Sequence, residues 1–158
     1  VPAQSDAGGG AVSVGAIDAA DPGVDDIEPY SSRGPANNGA TKPDVAAIDG
    51  VSVTGSGRFP STFYGTSAAA PHVAGLAALL FDLRPDLLSG EPGDDPTDDR
   101  AALRAGILDA AVDLGVSGVD NTYGSGRVDG LSSGLALAAS APTPTAIPTP
   151  APVPSLTI

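Results

Sequence analysis

The sequence predicts an α/β fold with a mostly parallel sheet, and three observations carry that prediction. Two short runs, Ala11–Ile17 and Val45–Ile48, are apolar at most positions, which suits strands covered on both faces as parallel strands are. No charged side chain occurs between Arg58 and Asp82, so the Ala-rich helix expected from Ser67 onward is placed inside the protein. The chain has 158 residues, and six prolines crowd its uncharged last stretch, Ala141–Ile158. The remainder suits one domain with a core of moderate size.

Taken in order, Val1 to Gly10 is a flexible lead-in ending in Gly8-Gly9-Gly10. The absence of an initial Met, a basic n-region and a signal core leads us to expect an internal or processed piece. Ala11–Ile17 is a short strand ended by Asp18, and Asp21-Pro22-Gly23 with Asp25-Asp26 marks an exposed turn. Tyr30–Asn38 carries Ser-Ser, Gly-Pro and Asn-Asn-Gly, which is turn chemistry, so an ordered loop with structural Ser31, Ser32 and Arg33 is expected. Val45–Ile48 is a buried strand, Asp49-Gly50 a turn, and Val51–Thr54 alternates as a half-buried strand. Gly55–Pro60 then leads as a loop into Gly65-Thr66-Ser67.

The helix opened by Ser67 should end near Leu83, because Pro85 pushes its predecessor out of helical geometry. Glu91–Asp99 holds five acidic side chains but lacks the Asp-x-Asp-x-Asp-Gly spacing of a calcium loop, so it reads as a solvated loop. Thr97 or Asp98 caps the next helix, whose apolar face is Leu103, Ile107, Ala110, Ala111 and Leu114, with Gly115 at its end. Gly118–Asp129 is Gly-rich, but with no Lys after the glycines and no Gly-x-Gly-x-x-Gly it is no phosphate cradle. Leu131–Ala139 is a last short helix, and residues 141–158 form a Pro/Ala/Thr-rich, polyproline-like linker or tail.

Ser67 is the candidate for chemistry. The first N–H groups of a helix have no intrahelical partner and carry about +0.5 charge in sum, so an oxyanion formed beside Ser67 would be stabilised there, with the Ser67 N–H as one donor. Pro71 fits in or near the first turn, and Gly75 admits close backbone approach. The same residues fit an ordinary Thr66 or Ser67 N-cap, which is the commoner arrangement. A serine nucleophile needs a base and a group to orient it. The single His, His72, lies five residues on in the same helix, where the side chains do not converge, so it reads as a packed helix residue.

Gly65-Thr66-Ser67-Ala68-Ala69-Ala70-Pro71-His72-Val73-Ala74-Gly75 resembles the nucleophile motif of the subtilisin-like serine peptidases, the subtilases. Tyr30-Ser31-Ser32-Arg33-Gly34-Pro35, Lys42-Pro43-Asp44-Val45-Ala46-Ala47 and Gly118–Asp129 resemble segments found around that motif, and the likeness covers roughly residues 11 to 138. Where many relatives carry Pro this chain has Ile48, which implies a local change in one turn. The resemblance implies a three-layer subtilisin-like domain of which residues 11–140 are the C-terminal part. It implies Ser67 as nucleophile, with the catalytic Asp, the catalytic His and the oxyanion Asn upstream, since nothing in Val1–Ala11 matches their motifs. It also implies a protein or peptide substrate, the missing N-terminal part of the same domain as a partner, and secretion. No cofactor follows from the residues themselves. Asp44 lies in a segment that borders a cation site in some relatives, and structural calcium is compatible with the full-length parent. A parent that is a non-catalytic subtilase-like scaffold or binding module stands as the alternative to a serine endopeptidase.

Composition narrows the remaining classes. Zero Cys removes disulfides and thiolate chemistry, and one His removes the usual imidazole zinc sites. The net charge of -12 repels phosphate backbones and anionic lipid, so nucleic acid is not expected as a partner. No apolar run approaches the roughly 20 residues of a membrane span. With 17 Asp against 2 Glu and one Lys, the balance suits a surface kept soluble in high salt. The folded protein is therefore expected to melt at lower temperature as salt is withdrawn, and a melting temperature indifferent to a salt series would remove that reading.

Overall fold

The protein is described by a computed structural model over residues 10–53, 61–88 and 95–141. Strand β1, Val14–Asp18, runs parallel to β2, Val45–Asp49, in a register that sets Val14 opposite Val45 and Asp18 opposite Asp49. β2 also bridges Arg127 through Ala46 on its other side. The outer edge of β1 is closed at one point by the loop that follows it: Ser31 Oγ accepts the Ala16 N–H at 3.0 Å, Glu28 N donates to Ala16 O, and Ile17 bridges Ile27. Ser31 is buried by this use, so its role is structural as expected.

A second, antiparallel pair joins β3, Val51–Ser52, to β4, Thr62–Phe63. The strand expected to reach Thr54 thus ends at Ser52; Thr54 and the Gly55–Pro60 loop lie outside the described residues.

Helix α1, Thr66–Leu83, packs across β1 and β2. Of its buried residues, Ala68, Ala69, Val73 and Leu80, the last three meet Ala16, Val45 and Ala47 in one apolar cluster, so small side chains on both surfaces let helix and sheet approach closely. Burial of Leu80 alone contributes about 2 kcal/mol. The expectation that this helix lies wholly inside is corrected: Ala70, Ala74, Ala78, Leu79 and Leu83 are exposed, because the described elements cover only part of the circumference of α1. The missing charge marked an uncovered apolar face as well as a buried one. By length and composition α1 is also apolar enough to cross a membrane, contrary to the expectation that no run approaches that length; here it packs across two strands.

Arg84 stops α1 and ties it to the last helix. Its guanidinium makes a two-pronged pair with Asp86 at 2.8 and 2.6 Å and donates to Leu137 O at 2.8 Å. A 3-10 turn, Pro85–Leu88, follows. Helix α2, Pro96–Leu108, is capped by Asp95, which accepts from Thr97 N, rather than by Thr97 or Asp98. It ends seven residues before Gly115, since Val112 and Arg127 exchange both backbone hydrogen bonds and draw the chain out of helical geometry. Helix α3, Gly130–Ala139, is capped by Asp129 through Ser132 N.

The Gly118–Asp129 segment fastens the far side of the sheet. At Gly124 a Cβ would collide with the Asp44 carbonyl, at Gly126 with that of Val112, and both glycines have positive φ. Tyr123 OH donates to Asp25 O, and Arg127 donates to Val24 O, so the acidic turn after β1 is held by this loop. Six aspartates, Asp18, Asp21, Asp95, Asp113, Asp120 and Asp129, accept backbone N–H groups within five residues of themselves.

Asp44 gathers the largest set of contacts. It accepts from Lys42 Nζ at 2.9 and 2.8 Å, from Arg104 at 2.6 Å, and from both the backbone N–H and the hydroxyl of Ser13 at 2.7 Å. Burial works against its charge, but the hydrogen bonds from Lys42 and Ser13 outweigh it and hold its pKa below the ordinary carboxylate value. A depressed folded-state pKa gives stability that is present above the unfolded value, about 3.9, and is lost as pH falls through the folded one. The melting temperature is accordingly expected to drop as pH is taken below about 4, and Asp44→Asn is expected to lower it at neutral pH and flatten that acid limb. An acid limb that is equally steep in Asp44→Asn would assign it to other groups.

Candidate active site

The start of α1 is set by Gly65, the N-cap, whose φ of 111° and ψ of 159° lie in a region that L side chains rarely adopt. No side chain caps the helix, so neither Thr66 nor Ser67 serves as the N-cap that local chemistry allowed. Ser67 is the second residue of the helix, is exposed, and its hydroxyl has no hydrogen-bond partner among the described residues. Its N–H falls in the first turn, where no intrahelical acceptor exists.

Pro71 lies in the second turn of α1 rather than the first. It withholds the N–H that would otherwise reach the Ser67 carbonyl. His72 is exposed, not packed, and its Nδ1 lies 2.8 Å from Ala68 O; facing a carbonyl, that nitrogen is the donor. The ring is thereby bonded back onto its own helix and is not brought to Ser67. Gly75 has open space where a Cβ would stand, so it serves no close approach within the described residues.

Two residues that sequence reasoning passed over hold this helix start in place. Asp49, at the end of β2, is fully buried, and its Oδ2 accepts the Gly65 N–H at 2.6 Å and also the Tyr30 hydroxyl. Its Oδ1 is buried without a partner among the described residues, an arrangement that costs on the order of 1–3 kcal/mol. The Tyr30 ring is half-exposed, but partial burial of its hydroxyl, and then its bond to Asp49, raises its pKa well above that of a free phenol, so it remains a donor. Next to Asp49, Gly50 has φ 61°, and a Cβ there would run into Asp18 and Tyr64. An acid closing an otherwise apolar strand was the available signal for Asp49.

A cleft of about 290 Å³ reaches Thr66, with Ser13, Ser32, Arg33 and Lys42 among the residues on its walls. Among the described residues no group of three or more His, Cys, Asp or Glu is placed to hold a metal ion, and the Asp44 carboxylate is filled by its own Lys, Arg and Ser donors.

Fold and site together define an α/β protein that presents an exposed serine hydroxyl at the glycine-led mouth of the helix packed on its parallel strands. Residues 1–126 match the Subtilase family, and the chain belongs to it. An extracellular serine protease of Serratia marcescens is 42% identical over 65 residues, which are 41% of this chain and 5% of that protein. Among solved structures, the psychrophilic subtilisin-like protease Apa1 from the Antarctic psychrotroph Pseudoalteromonas sp. AS-11 superposes with a TM-score of 0.42 at 31% identity, over 52% of this chain and 17% of that one. The matched portions are thus small parts of both relatives.

The glycines of the site separate by conformation. Gly65→Ala is expected to destabilise the fold by roughly 1–3 kcal/mol through its positive φ, whereas Gly75→Ala in open helical space should stabilise it by roughly 0.5–1 kcal/mol. Denaturant midpoints of the two variants check this, and equal effects would contradict the assigned helix start.

Proposed function

We propose that this chain is the C-terminal part of the catalytic domain of a secreted subtilisin-like serine endopeptidase, with Ser67 as its nucleophile. The observation that carries this is the Ser67 hydroxyl, exposed and without a hydrogen-bond partner among the described residues, at the second position of α1 inside the Gly65–Gly75 motif. In this reading Ser67 Oγ attacks the scissile carbonyl carbon of a protein or peptide substrate. Its proton passes to an imidazole, which returns it to the departing amine, and water then hydrolyses the acyl ester. The oxyanion is met by the Ser67 N–H at the positive end of α1 and by an upstream Asn side chain.

His72, bonded to Ala68 O, is not that imidazole. The base, its orienting Asp and the oxyanion Asn come from an upstream segment that completes a three-layer domain. Two features favour such a segment: an apolar cleft of about 650 Å³ lined by Val12, Val14, Val73, Phe81 and Ile107, and the exposed apolar face of α1. On this view residues 1–10 lead in from the upstream part, 11–140 belong to the catalytic domain, and 141–158 form a linker or tail. The extracellular serine protease among its relatives supports secretion.

The full-length protein is expected to be labelled at Ser67 by a fluorophosphonate and to lose both label and peptidase activity in Ser67→Ala, while residues 1–158 alone turn over no peptide. An unlabelled Ser67 in active full-length protein, or turnover by the isolated chain that Ser67→Ala abolishes, would contradict this reading.

A further inference from the structure

Asp49 is a fully buried ionisable group that the proposed chemistry leaves without a task. It is fully buried at the C-terminal end of β2, and a single oxygen, Oδ2, receives two donors from two other segments: the Gly65 N–H at 2.6 Å and the Tyr30 hydroxyl. Gly65 is two residues before Ser67, and its backbone conformation is one that other residues avoid. Glycine enters this region without strain and has many other conformations open to it, so what holds it in this one is its surroundings. Here the surroundings are a carboxylate on a rigid strand, itself fixed by a tyrosine from a third segment.

The second oxygen strengthens the inference. Oδ1 is buried with no partner among the described residues, so Asp49 is not retained for complete satisfaction of its own polar atoms. An apolar side chain would suit the strand end better for stability alone. What such a side chain could not supply is the acceptor for the Gly65 N–H.

We infer that Asp49 is a positioning residue for Ser67: through Gly65 it fixes the turn that aims the Ser67 hydroxyl and N–H, with Tyr30 holding Asp49 in place. This rests on the reading of Ser67 as nucleophile. Asp49 touches neither substrate nor the reacting atoms, so its effect falls on the rate of the chemical step and not on substrate binding. Because both donors converge on one oxygen, an amide oxygen at the same position can accept both, and the acceptor rather than the charge is what the turn requires.

The test uses the full-length protein with active sites counted by fluorophosphonate burst. Asp49→Ala is expected to lower both kcat per titrated site and the labelling rate of Ser67 about tenfold or more, with KM within about twofold, as loss of an oriented reacting group does. Asp49→Asn is expected to restore most of both rates, and Tyr30→Phe to fall between the two. Melting temperatures report folding separately. Asp49→Ala with unchanged kcat per site, whatever its melting temperature, overturns the inference, as does an Asp49→Asn variant as slow as Asp49→Ala. If wild-type Ser67 takes no label, the nucleophile reading fails and this one with it. If Ser67 is labelled but indifferent to Asp49, this inference fails alone.

Discussion

The buried carboxylate of Asp44 is the constraint on which the arrangement of this chain depends. One side chain accepts from Ser13 before β1, from Lys42 before β2 and from Arg104 in α2, so three segments far apart in sequence share one anion. Removing any single donor leaves charge buried and less compensated, which is why such hubs act as a unit. The backbone at the same residue is equally occupied. Gly124 packs on the Asp44 carbonyl, and Ser125 N donates to it, so a fourth segment depends on the same point.

From that fixed point the packing of α1 follows. Ala16, Ala47 and Ala69 place backbone near backbone, and with so little side chain between them the helix has few alternative positions over β1 and β2. Small interfaces give up apolar area and gain definition of distance. That definition reaches the end of the helix, where the bond from Gly65 to Asp49 ties its first turn to the end of the strand beneath it. Stability and the placement of Ser67 therefore come from one packing arrangement.

Local punctuation made much of this readable from the sequence. Gly65-Thr66-Ser67 at one end and Pro85 at the other bounded α1, and the apolar runs at Ala11–Ile17 and Val45–Ile48 located the parallel pair, although the first strand begins only at Val14. What could not be read depended on partners distant in the chain. The end of α2 was misplaced because Val112 pairs with Arg127, fifteen residues on. Asp49 passed for a turn residue because its partners, Tyr30 and Gly65, are 19 and 16 residues away. The uncovered face of α1 was unreadable for a different reason: an uncharged helix looks the same to sequence analysis whether neighbours cover one side of it or both.

The aspartates that accept nearby N–H groups also change what the acidic isoelectric point means. A carboxylate one methylene from Cα can close a ring with its own loop, and the longer glutamate side chain overshoots that ring. Exchanging Asp for Glu throughout would leave net charge untouched and yet dismantle the turns at Asp18, Asp21 and Asp120 and the helix starts at Asp95 and Asp129. The acidity of this chain is therefore in part a by-product of loop geometry. Side-chain reach, which no charge count records, is one property that composition had been preserving.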